Sequence, residues 1–169
     1  MREVDKPIVR PEPLTREAFR PFGDVLHPGD EAPDMDLGIY HYWDRMARLE
    51  FSGDPVDLAY LRVMQREPIL EKMERHRRAS QSFIPLTDEP CIFALAPADA
   101  PLAGSGPDPA RVRAFLLDGT AGVSLLPGTW HWSIFPLAPS ADFVMVVRRN
   151  TVVDDLEVVD LEFPIEIRT

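Results

Sequence analysis

Met73-Glu74-Arg75-His76-Arg77-Arg78-Ala79-Ser80-Gln81-Ser82-Phe83-Ile84-Pro85-Leu86 packs a carboxylate, an imidazole and a carboxamide into the span 74–81, directly ahead of a strand-like run. If residues 73–77 are extended, Glu74 and His76 lie two apart and project from one face of a sheet, while Arg75 and Arg77 project from the other. Arg78-Ala79-Ser80 is small and polar enough to turn the chain, and Gln81 and Phe83 then share a face of the next strand. No other segment is as dense in groups that can hold a ligand.

A second short stretch carries the other chemistry. Pro127-Gly128-Thr129-Trp130-His131 is a tight turn followed by a histidine about fifty residues beyond the first cluster. Between and around the two stretches, alternation and turn residues predict strands over 38–44, 58–65, 91–96, 111–117, 123–126, 129–135, 142–147 and 157–164. Cys91-Ile-Phe-Ala-Leu-Ala96 is apolar at every position, so it reads as a buried strand. Asp118-Gly119 closes a hairpin. Thr15 is an N-cap for a short helix over 15–22 whose apolar positions are Leu14, Ala18, Phe19 and Phe22. Residues 1–13 contain three prolines and read as an irregular arm, and 97–109, with four prolines and two glycines, as an exposed loop. Short strands punctuated by turns, with one early helix, predict a mainly β sandwich or jelly-roll barrel.

A chain of 169 residues suits a single domain, residues 1–169, with a core that needs no covalent staples. The net charge of −10 argues against nucleic acid and anionic membranes, whose recognition needs basic surface. An acidic protein can still grip a small carboxylate, and 16 of the 18 basic residues are arginine, which binds carboxylates in a bidentate fashion. No apolar run approaches the roughly 20 residues that cross a bilayer, and the first six residues carry no apolar signal core, so a cytoplasmic address is expected. The lone Cys91 lies in an apolar run and reads as a buried, inert thiol.

Two ligand positions separated by one residue, a third about five residues on, and a histidine after a Pro-Gly turn resemble the paired motifs of the cupin superfamily. In that double-stranded β-helix the ligand residues converge at the mouth of a barrel, here Glu74, His76, Gln81 and His131. The resemblance narrows further. Glu74-Arg75-His76, Ser80-Gln81-Ser82-Phe83-Ile84-Pro85, Gly128-Thr129-Trp130-His131, Asp142-Phe143, the opening Pro13-Leu14-Thr15-Arg16-Glu17-Ala18-Phe19 and then Gly23-Asp24-Val25 together resemble the ureidoglycolate lyase family over residues 13–147. Membership would imply a homodimeric barrel that splits ureidoglycolate into glyoxylate and urea in allantoin breakdown, with nickel as the suspected metal. The chain departs from the family pattern at Arg77, Arg78 and Ala79, where Pro-Leu-Gly is usual, and at Trp132 and Ser133, where a second histidine and proline are usual. It departs again at Arg148-Arg149-Asn150-Thr151, in place of a Gly-rich, Asn-Cys-bearing segment.

Cleaving a carbinolamine-like adduct calls for a base, an acid and an anchor for the carboxylate. Glu74 or His131 could be the base and His76 the orienting or proton-donating ring, with Gln81 at the urea end. Alternatively, Glu74, His76, His131 and Gln81 hold a divalent metal that polarises the hydroxyl. Arg78, Ser80, Phe83 and Trp130 are the candidate substrate contacts. For Phe83 and Trp130 the competing reading is core or dimer interface, for Arg78 a solvated side chain, and for His131 a buried ring with its hydrogen bonds satisfied. The alternative function is a non-catalytic or regulatory cupin that binds a small carboxylate, or a related lyase or hydrolase acting on another α-hydroxy or α-keto acid.

Overall fold

Residues 6–169 are described by the structure, a computed structural model. Two short strands, β1 (Ile8–Val9) and β2 (Pro11–Pro13), precede helix α1 (Arg16–Phe19). Strands β3 (Gly23–Leu26), β4 (Val56–Met64), β5 (Ile69–Arg75), β6 (Gln81–Pro85), β7 (Cys91–Ala96), β8 (Arg113–Leu117), β9 (Gly122–Leu125), β10 (Trp130–His131) and β11 (Ser140–Arg148) follow. Helix α2 (Thr151–Asp154) and strand β12 (Glu157–Ile167) complete the order.

Two sheets form a nearly closed barrel. The larger has the order β1-β12-β5-β10-β7-β8-β2, with Phe135–Pro136 also paired to β7; the smaller is β3-β9-β6-β11-β4. All pairings are antiparallel except β1 with β12 and β2 with β8. This is the mainly β, cupin-like barrel that the sequence predicts.

Period-two alternation assigns the faces. Along β7, Cys91, Phe93 and Leu95 join a core between the sheets that also takes Val63, Phe83, Val123, Leu125 and Phe143 from the smaller sheet. Ile92, Ala94 and Ala96 point the other way, into a second core with Met73, Trp130 and Ile165, closed over by Ala100 and Val112. Burial on both faces explains why β7 has no polar position. Cys91 is fully buried, and desolvation, with Glu89 nearby, raises its thiol pKa to about 11.

Four expectations need correction. The irregular arm becomes β1 and β2 over residues 8–13, because Glu12 makes a bidentate pair with Arg113 (2.6 and 2.7 Å) and an edge strand tolerates prolines. Residues 1–5 of that arm lie outside the described residues. The exposed loop at 97–109 is interrupted by a small hairpin, Leu102–Ala103 against Gly106–Pro107, and buries Ala100, Gly106 and Pro107. Of the strand expected at 38–44 only His41–Tyr42 pairs, with Met35–Asp36, and these residues are exposed. Helix α1 begins at its Thr15 cap, whose hydroxyl accepts from the Ala18 N–H at 3.1 Å. It ends at Phe19, because Pro21 has no N–H with which to continue it. No helix among the described residues is long and apolar enough to cross a membrane.

Candidate active site

Glu74 lies on β5 and His131 on β10, and the two are directly opposed in the antiparallel register. Neighbours so placed have their Cβ atoms about 5 Å apart, so their side chains meet on the inner face. His131 Nε2 lies 3.5 Å from Glu74 Oε1. His76 follows the last residue of β5 and keeps to the same face, its ring centroid 5.7 Å from that of His131. A backbone hydrogen bond joins the two motifs: the Gly128 N–H donates to the His76 carbonyl at 2.6 Å. The Pro-Gly turn, with Gly128 at φ +83°, thus delivers the second histidine beside the first.

The result is a triad in which one ligand atom each from Glu74, His76 and His131 lies within 4.8 Å of the others. Both rings are oriented from behind. His131 Nδ1 lies 3.0 Å from the Thr129 carbonyl, and His76 Nδ1 3.0 Å from the Asp155 carbonyl. A carbonyl only accepts, so each Nδ1 carries a proton, and in the neutral ring Nε2 then keeps a lone pair. His131 Nε2 is buried without a hydrogen-bond partner, and so is Gln81 Oε1. Two imidazoles whose ligand atoms lie this near a carboxylate oxygen make a donor set that fits a divalent cation. Carbonyl-to-imidazole contacts are also how metal-binding histidines are commonly held.

Electrostatics set the charge of two of the three groups. Burial raises the Glu74 carboxyl pKa, but the adjoining His131 and then His76 pull it down further, so it lies below the ordinary value. Burial, helped by His131, holds the His76 ring below its ordinary value against the opposing pull of Glu74. At neutral pH the site therefore offers an ionised carboxylate beside a neutral His76.

Phe83 and Phe93 wall the site, their centroids 6.2 and 6.1 Å from the His131 ring. Gln81 shares the face of Phe83 on β6. The remaining candidates lie elsewhere. Trp130 faces the second core, since successive strand residues point to opposite sides, and the Arg75 guanidinium stacks 4.0 Å above its ring. Arg78 is engaged by Asp54 (3.1 Å) and Asp154 (3.3 Å). Ser80 is clamped to the backbone of Glu50 through both its N–H and its hydroxyl. The groups that sequence reasoning missed are Thr129, Thr151 and Asp155; they act through a backbone carbonyl or a hydroxyl, which no motif advertises.

A family model described as ureidoglycolate lyase matches residues 6–168. The chain belongs to the ureidoglycolate lyase family. A protein of Pseudomonas paraeruginosa named ureidoglycolate lyase is 35% identical over 146 residues, covering 83% of each chain. One of Brucella anthropi with that name is 36% identical over 144 residues, covering 82% of each. A third, from Burkholderia mallei, is 34% identical over 150 residues, covering 81% of this chain and 80% of its own. Membership in the ureidoglycolate lyase family accords with the paired motifs and the barrel that carries them.

Proposed function

We propose that the protein is a carbon–nitrogen lyase that cleaves ureidoglycolate to glyoxylate and urea. The observation that carries this reading is the convergence of Glu74, His76 and His131 in a chain of this family. The reaction is proton-neutral overall, which suits a single carboxylate. Glu74, ionised at neutral pH, takes the hydroxyl proton of the substrate; the carbon–oxygen bond becomes the aldehyde carbonyl as the carbon–nitrogen pair leaves with nitrogen. The same carboxyl then returns the proton to that nitrogen, releasing urea. Its partly exposed position, with 25% of the side chain accessible, gives it contact with an incoming substrate. Phe83 and Phe93 keep bulk water away from one side.

In the alternative form of this reading Glu74 is not the base but, with His76 and His131, would hold a divalent metal, with nickel the leading candidate and the Gln81 carboxamide as a weak fourth donor. Such an ion supplies Lewis acidity toward the substrate's hydroxyl and carboxylate oxygens. A purine-breakdown role and a cytoplasmic location accompany this reading. The latter is in keeping with an unpaired, buried cysteine.

We also propose that residues 1–169 act as one domain and that the protein works as a homodimer. Support for the dimer comes from the outer face of the smaller sheet, where Leu58, Tyr60 and Met64 of β4 are 76%, 61% and 61% exposed. Val144 and Val146 of β11 lie beside Tyr60 and Leu58, so the apolar patch runs across two strands up to the Arg62–Asp142 ion pair, beyond which Met64 lies.

Racemic ureidoglycolate incubated with the protein, with and without added nickel or manganese, should yield glyoxylate well above the spontaneous rate. Glu74→Gln and His131→Ala should each remove at least about 99% of that excess, in line with the 10²–10⁴-fold typical of general acid–base groups. A wild-type rate equal to the spontaneous one under every metal condition would sink the lyase reading.

A further inference from the structure

His76 is held by the segment that follows β11. After β11 the backbone turns through Asn150 at φ +61°, makes the single turn of α2 and returns over residues 76–78. Asp155 grips that turn twice. Its carboxylate accepts from the N–H groups of Arg77 (3.0 Å) and Arg78 (3.0 Å), and its carbonyl accepts from His76 Nδ1. Thr151, the first residue of α2, places its hydroxyl oxygen 2.9 Å from the same Nδ1. Both residues are buried, His76 at 4% and Thr151 at 6% exposure.

We propose that Thr151 is a positioning residue for His76, sharing the Nδ1 proton with the Asp155 carbonyl. The inference rests on the triad reading given above. One acceptor at Nδ1 favours a tautomer but leaves the ring free to swing, because the χ2 torsion of histidine is soft. A second acceptor on a different element fixes the ring plane and so aims the Nε2 lone pair at the position shared with Glu74 and His131. The helix that carries Thr151 is itself braced: Arg148 pairs with Asp154 at its end and with Asp54 (3.0 Å) across from it. Outer partners of ligating histidines commonly change metal affinity 10- to 100-fold.

The test uses the full-length protein as wild type, Thr151→Val, Thr151→Ala and the conservative Thr151→Ser. Metal-free samples are compared by imidazole ¹⁵N NMR to read the His76 tautomer and the motion of its ring, then titrated calorimetrically with Ni²⁺ and Mn²⁺. All four should show the Nδ1–H form, which the Asp155 carbonyl alone favours. Thr151→Val and Thr151→Ala should broaden the His76 ring resonances by exchange and bind Ni²⁺ about 10- to 100-fold more weakly, and Thr151→Ser should match wild type. In a His76→Ala background the added Thr151→Val change should cost no further affinity. Unchanged ring linewidths in both Thr151→Val and Thr151→Ala would overturn the proposal, as would an equal affinity loss in the His76→Ala background. A wild type that binds neither ion removes the metal from the triad reading, and the linewidth comparison then decides the role of Thr151 alone.

Discussion

At the scale of single residues, the site combines groups whose ordinary protonation is altered by burial and by one another. Glu74 and His76 both lie below their ordinary pKa values, so the folded protein takes up protons less readily than the unfolded chain at these positions. Their contribution to stability is present above the unfolded values and is lost as pH falls. The His76 part begins to go below pH 6.5, and the Glu74 part below about 4.5. Urea midpoints of metal-free protein should therefore drop between pH 7 and pH 5, and His76→Ala should flatten that drop. A wild-type midpoint that stays constant over this range would count against a buried neutral ring. The residue types needed for this behaviour were legible in the sequence, because Glu74, His76 and His131 stand at motif spacing. Their tautomers were not. Those depend on the carbonyls of Thr129 and Asp155, groups that every residue possesses and that only the folded path of the chain selects.

At the scale of elements, one strand serves two purposes, because β10 turns His131 toward the site and Trp130 toward the second core. Truncating Trp130 to alanine should cost about 3–5 kcal/mol of stability, the usual range for a buried aromatic. Thermal or denaturant unfolding would show the loss. If Trp130 instead touched substrate, the variant would keep its stability and change mainly in KM. Alternation in β4 and unbroken or near-unbroken apolar runs in β7 and β11 located these strands within two residues of their observed ends. The stretch 38–44 failed that logic. Its aromatic alternation looks strand-like, but it pairs only through His41–Tyr42 with Met35–Asp36, apart from both barrel sheets, and Ile39 remains 87% exposed. β1 and β2 were hidden for the opposite reason, their prolines masking edge strands that pair in parallel with partners near the far end or middle of the chain.

At the scale of the whole molecule, the barrel leaves one face of the smaller sheet without a covering layer, and the proposed dimer would cover it. Sedimentation should give about twice the 19.1 kDa chain mass. Leu58→Lys and Met64→Lys, which place charge on an exposed face, should shift the species to monomer at low micromolar concentration without unfolding it. A dimer undisturbed by both would place its interface elsewhere. The two-sheet barrel was legible because the paired motifs imply it. The second core was not, since it forms only when the 97–112 segment folds across the back of the larger sheet.

The sealed position of Cys91 has a practical corollary. Its sulfur has no route to solvent while the barrel is intact, so two native chains have no means of becoming covalently cross-linked through it. A disulfide-linked species on a non-reducing gel would therefore come only from molecules that have opened, and its slow accumulation in air would serve as a clock for how often the barrel comes apart.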